Sequence, residues 1–243
     1  MLEGPDLVHA ALDASSEFEA IYVDPSGLSS GDLAVLRSRA AAKGVRVFAL
    51  APGVLERVAD ASTPQPVLAA IRLPLVNVAD IACTGLVLVL HDVKDPGNAG
   101  TLVRSADAAG ASGVIFTGQS VDPFNPKTLR ATAGSIFHIP VAVGTLAEAL
   151  ASFRDRGATT LASVVRGGAS HRSVDFTKPT VVVIGNEADG LDDEAIGLCG
   201  ATISIQMAGS SESLNAGVAG SLIAFEALWR RQDTKTPPPT PSL

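Results

Sequence analysis

A chain of 243 residues with 47% hydrophobic residues and a mean hydropathy of +0.32 can bury one large core or two small ones. No apolar run approaches the roughly 20 residues that span a bilayer. The start MLEGPDLV lacks a basic-then-apolar leader pattern, and Cys83 and Cys199 are far apart with no CxxC, so the chain reads as a cytoplasmic protein with reduced structural thiols and no metal site. A net charge of −7 and a pI of about 5.0 exclude a broadly basic surface, so composition alone does not point to nucleic acid.

Aromatic residues are only 4%, which suits repeated β-α units better than a sandwich. Along the chain, a strand is predicted at 20–23 and a helix at 31–43, with Leu33, Leu36 and Ala40 on one face. Gly44 stops that helix before a strand at 45–50. Pro52 opens a helix at 53–60, and STPQPVLAAIRLP at 62–74 reads as a closing strand plus linker. The boundary falls between about 73 and 84, giving a first unit of 1–75 and a second of 82–232. In the second unit, strands are predicted at 86–90, 113–117, 139–143, 158–162, 181–185 and 202–205. Helices are predicted at 97–109, 126–133, 145–156, 192–198 and 213–231. Thr145 and Glu148 form a capping box, and Leu214, Val218, Leu222, Phe225 and Trp229 share one apolar face. This alternation predicts an α/β fold with a mostly parallel sheet covered by helices. DTKTPPPTPSL at 233–243 reads as a disordered tail.

Three segments carry the chemistry. In the first, the apolar run Leu86–Leu90 feeds an Asp-Pro-Gly-Asn turn, and the helix behind it carries Arg104 among small residues. Strand-to-turn-to-helix junctions are where α/β proteins hold ligands. GNAG is not GxGxxG, so a nicotinamide fingerprint is weak. Arg104 reads either as a surface cation or as a group that binds phosphate or favours loss of a hydroxyl proton. The second segment, GNEADGL at 185–191, puts Glu187 past a very apolar strand. The third, ISIQMAGSSESLNAG, places Ser213 and Asn215 at a helix start, where backbone N–H groups are free. There is no GxSxG elbow and no HExxH. The three loops converge only if their strands are neighbours, which spacing leaves open.

Together, DPGNAGTLVRSADAAGASGVIF at 95–116, VVVIGNEADGL at 181–191 and ISIQMAGSSESLNAGVAGSLIAFE at 203–226 resemble, in order, the three motifs of the SpoU/TrmH-type RNA ribose 2′-O-methyltransferases of the SPOUT superfamily. EGPDLVHAAL and STPQPVLAAI resemble the small α/β ribosomal-protein-like RNA-binding domain that precedes such enzymes. The resemblance implies a carboxyl-terminal SPOUT domain with a deep trefoil knot, S-adenosyl-L-methionine as cofactor, a homodimer, and structured RNA (ribosomal first, transfer RNA second) as substrate. It assigns catalysis to Asn98, Arg104, Glu187, Ser213 and Asn215. It assigns the cofactor to Ser163, Gly185, Glu187, Ile205, Gln206, Met207, Leu214 and Asn215.

Departures are Gln206 where the family commonly has Pro, Ala216-Gly217 where it often has Val-Ser, and Met1 where its first helix and strand should be finishing, which implies an upstream start or a trimmed first domain. A ribose 2′-hydroxyl is a poor nucleophile near neutral pH, so the enzyme must align it and ease loss of its proton. Arginine stays protonated up to pH about 12, so Arg104 is expected to stabilise developing alkoxide rather than act as a base. RNA contact in an acidic chain needs local cations, for which Lys127, Arg130, Arg166, His171 and Arg172 stand beside Arg104. A catalytically silent RNA-binding protein with the same fold is the competing reading.

Overall fold

The computed structural model describes residues 1–58 and 64–233. Two sheets organise them. The first is built from β1 (Leu2–Glu3), β2 (Phe18–Val23), β3 (Val47–Ala49) and β4 (Val67–Ile71), in the order β1-β4-β2-β3. β4 runs antiparallel to β1 and β2, whereas β3 lies parallel to β2 at the edge. Helices α1 (Pro5–Asp13), α2 (Ser30–Ala42) and α3 (Leu55–Val58) complete this unit. Leu7, Val8, Ala11 and Leu12 of α1 and Leu36 and Ala40 of α2 are buried with Ile21, Val23, Val67 and Ala69.

The second sheet has seven strands, all parallel: β5 (Leu86–His91), β6 (Gly113–Thr117), β7 (Val141–Gly144), β8 (Thr159–Ser163), β9 (Ala169–Ser170), β10 (Thr180–Ile184) and β11 (Ala201–Ser204). Their order is β7-β6-β5-β10-β8-β11-β9. Helices α4 (Pro96–Ala108), α5 (Pro126–Thr132), α6 (Leu146–Asp155), α7 (Asp193–Leu198) and α8 (Ala216–Asp233) connect and cover it. Alternate residues of one strand enter different cores. Leu86, Leu88 and Leu90 pack with Leu102 and Ile223, while Val87 and Val89 pack with Leu150 and Phe153. Burial on both faces is why these strands read as unbroken aliphatic runs rather than alternating ones.

Several expectations are corrected. The predicted elements omit α1, although Pro5 at its start and the apolar spacing of Leu7, Val8, Ala11 and Leu12 are legible signals. They also omit β1 and β9, each of two residues and carried by pairing rather than propensity. The last helix starts at Ala216 rather than 213, because Oδ1 of Asn215 accepts the N–H of Val218 and so caps it. It ends at Asp233, one residue into the expected tail; residues 234–243 lie outside the described residues, as do 59–60 of the helix predicted at 53–60 and 62–63 of the closing segment. At Thr145 the hydroxyl accepts from Glu148 N–H, but Glu148 bonds that hydroxyl instead of the Thr145 backbone, so the box is not reciprocal. The apolar face read on the last helix is exposed: Val218, Leu222 and Trp229 are 47%, 42% and 53% accessible. The opposite face of small residues, Ala216, Gly220, Ala224 and Ala227, packs inward.

Candidate functional site

Strand order brings the three motif loops together. β10 lies between β5 and β8, and β11 follows β8. The loop after β10 is therefore flanked by the first motif on one side and by the loops after β8 and β11 on the other. Asn186 ties the second loop down. Its backbone pairs with Gly190 in both directions at 3.0 Å, and its side-chain Nδ2 donates to the carbonyl of Asp92 at 2.9 Å. A Cβ on Gly185 would stand 2.5 Å from the Gly190 backbone, so only glycine permits this fold-back.

The next residue, Glu187, reaches across to the start of α4. Asn98 Nδ2 donates to Glu187 Oε1 at 2.9 Å, and the N–H groups of Asp95 and Lys94 point at the same carboxylate from 3.3 and 3.4 Å. A carboxylate also suits the positive end of a helix. Asn215 Nδ2 then donates to Asn98 Oδ1 at 2.8 Å. Because an ionised carboxylate only accepts, the amide of Asn98 has one orientation: nitrogen to Glu187, oxygen to Asn215. Asp95 caps the helix by accepting the Asn98 N–H at 2.7 Å. One hydrogen-bonded chain thus joins all three motifs.

Beside this chain lies an open cleft at the carboxyl ends of β8, β10 and β11. Its walls include Ser163, Gly185, Glu187, Ile205, Met207, Ser213 and Leu214 of the predicted residues. Val164, Val165, Ile184, Ala216 and Ala219 add apolar surface that the sequence reading did not single out. Val165 is half exposed on the cleft wall. Asn215 acts through its bond to Asn98 rather than as a wall, and Gln206 is exposed outside the lining. Arg104 is also outside the lining, exposed on α4, with no hydrogen bond or ion pair among the described residues. Lys127 and Arg130 are exposed on α5; Arg166 and Arg172 are exposed between β8 and β10, and His171 is half-buried beside Arg172. Among the described residues, no cluster of His, Cys, Asp or Glu could hold a metal ion, and no helix is long and apolar enough to cross a membrane.

Residues 85–225 match the SpoU rRNA Methylase family, and residues 1–74 match the family described as RNA 2′-O ribose methyltransferase substrate binding. The chain belongs to the SpoU rRNA methylase family. Among SpoU relatives, it is 29% identical over 225 residues to the 23S rRNA (guanosine(2553)-2′-O)-methyltransferase RlmP of Bacillus subtilis, covering 93% of this chain and 86% of that one. It is 37% identical over 198 residues to the 23S rRNA (uridine(2479)-2′-O)-methyltransferase of Streptomyces viridochromogenes, covering 78% and 69%. The structure of the SpoU methyltransferase AviRb from Streptomyces viridochromogenes in complex with AdoMet superposes with a TM-score of 0.81 at 30% identity, covering 96% and 90%. An AdoMet-bound rRNA methyltransferase from Sinorhizobium meliloti gives 0.79 at 32%, covering 93% and 85%.

Proposed function

We propose that this chain transfers a methyl group from S-adenosyl-L-methionine to a ribose 2′-hydroxyl of ribosomal RNA, with transfer RNA the second choice. The observation that carries this is the Glu187–Asn98–Asn215 chain, which ties the first motif to a cleft walled by the second and third motif loops and the loop after β8. The residues suit the cofactor. Ile205, Met207 and Leu214 offer apolar walls, and Gly185 lets the second loop fold back onto Gly190 beside them. S-adenosylmethionine, when bound, supplies a methyl group already activated on a sulfonium.

The protein's own contribution is alignment and charge. Asn98, locked from both sides, is a positioning residue for the hydroxyl; Asn215 sets the third loop against it, and Ser213 lines the cleft beside it. Arg104 stabilises the alkoxide as its proton leaves, since a guanidinium does not act as a base near neutral pH. Lys127, Arg130, Arg166 and Arg172 supply phosphate contacts. Residues 1–75 form the RNA-binding unit and 82–232 the catalytic one, its carboxyl end threaded as a trefoil knot. The enzyme works in the cytoplasm.

It works there as a homodimer. Val218, Leu222 and Trp229 form an exposed apolar stripe on α8. α4 packs against α8: Ser105 Oγ and Ser221 Oγ are 2.7 Å apart. Arg104, next to Ser105, therefore stands near that stripe but outside its own cleft, so a second copy docked on α8 is the economical way to bring a guanidinium to the hydroxyl. The test is transfer of labelled methyl to unmodified ribosomal RNA together with calorimetric S-adenosylmethionine binding. Arg104→Ala should abolish transfer and leave cofactor affinity unchanged; wild-type turnover in that variant removes Arg104 from the mechanism. Absence of cofactor binding in the wild type would establish the silent reading instead.

A further inference from the structure

The edge of the first sheet carries a group of side chains that the catalytic reading does not use. β2 and β3 pair in parallel with Tyr22 opposite Phe48. Residues of one strand alternate between faces, so Ile21 and Val23 turn into the core while Tyr22 and Phe48 turn away from it. Tyr22 and Phe48 stack, with ring centroids 5.8 Å apart and planes at 24°. Arg46, two residues before Phe48 and so on the same face, holds its guanidinium 5.5 Å from the Phe48 ring centroid. Arg46 has no ion-pair partner among the described residues, and Phe48 is 42% accessible. Tyr22 is the chain's one tyrosine.

An exposed ring stacked on a half-buried one, beside an uncompensated cation, fits a partner that is flat, aromatic and anionic. A single-stranded nucleic acid has all three properties: each base has a π-face, and each link has a phosphate. An apolar protein surface would use the rings and leave Arg46 unpaired.

We propose that Tyr22, Arg46 and Phe48 form a stacking platform that receives an unpaired base of the RNA, with Arg46 also reaching a neighbouring phosphate. This rests on the reading that the chain acts on RNA, and it locates one contact of the first unit. Because the chain is acidic overall, stacking rather than a broad positive field carries the affinity of this unit. Such stacking is typically sensitive to loss of a ring, by about 5- to 150-fold in Kd per base.

The probe is large-subunit ribosomal RNA transcribed in vitro, measured by filter binding across a salt series with the full chain. Phe48→Ala and Tyr22→Ala should each raise Kd by about 5- to 150-fold. They should leave the salt slope and S-adenosylmethionine affinity unchanged, and Phe48→Trp should restore binding. Arg46→Ala should weaken binding and flatten the salt slope by about one unit. Irradiation at 254 nm should cross-link the RNA to peptides holding Tyr22 or Phe48. RNA affinity within twofold of wild type in all three variants, with methyl transfer intact, would overturn the platform and leave the catalytic reading standing. RNA binding that depends on these side chains in a protein that fails to bind S-adenosylmethionine would do the reverse. A wild type with no RNA affinity overturns both. If Phe48→Ala instead dissolves an oligomer seen by sedimentation, the face belongs to a second copy and the proposal falls.

Discussion

Asn98 is the residue on which the site turns, because its amide links Glu187 to Asn215. Asn98→Ala breaks both bonds and leaves the carboxylate one fewer donor. Misplacing a reacting group by about 1 Å costs about 100-fold in rate, so steady-state methyl transfer should fall by about that. Cofactor affinity should hold, since Asn98 is not a wall of the cleft. An unaltered rate would dissociate this chain of bonds from catalysis. Cys199 gives a second check at this scale. Its thiol donates to the Ala195 carbonyl at 3.4 Å, and burial pushes its pKa up to about 11. Thiolate is the reactive form, so in the folded protein at pH 8 Cys199 should resist iodoacetamide, read by mass spectrometry; modification at the rate of the unfolded chain would contradict that environment. The residue types of the site were legible in the sequence, because three polar, small-residue loops after aliphatic strands resemble the family's motifs in order. Which atom bonds which was not, since Asn98 and Glu187 are 89 positions apart and meet only through the β5–β10 pairing.

Helix α8 shows why an apolar pattern needs a partner before it can be interpreted. Its large residues, Val218, Leu222 and Trp229, recur at helical spacing and read as a core face, yet they are the exposed ones. The buried contact is made by Gly220, Ile223 and alanines, with α4 approaching most closely at Gly220. A Cβ on Gly220 would stand 2.2 Å from Leu102, which is fully buried and has little room to yield. Gly220→Val should therefore destabilise the fold by about 1–3 kcal/mol through overpacking, measured as a lower urea midpoint with unchanged slope. An equally stable variant would mean that this seam repacks freely. Element type was legible over most of the chain because aliphatic strands and capped helices announce themselves: Asp95, Asn125, Thr145 and Asp192 all cap where a helix was expected. α1 was missed, although Pro5 marks its start.

At the scale of the whole molecule, the seven-stranded order decides everything else, and no local signal encodes it. β10 is inserted between β5 and β8, so three loops far apart in sequence share one sheet end. The knot, the dimer and the RNA were read from resemblance rather than from any residue pattern. The dimer has its own test. Trp229 is the chain's one tryptophan and lies on the α8 stripe. Leu222→Glu should yield monomers by sedimentation and shift Trp229 emission to the red. Mixing Arg104→Ala chains with Asn98→Ala chains should restore activity if each cleft borrows its guanidinium from the other copy. A monomeric wild type would remove both expectations. The most direct measurement of the central claim is incubation of the protein with methyl-labelled S-adenosylmethionine and unmodified ribosomal RNA, followed by alkaline hydrolysis. The label should appear in alkali-resistant dinucleotides, the mark of a methylated 2′-oxygen, and should vanish with Asn98→Ala. Label in mononucleotide bases, or none in ribosomal or transfer RNA despite bound cofactor, would contradict it.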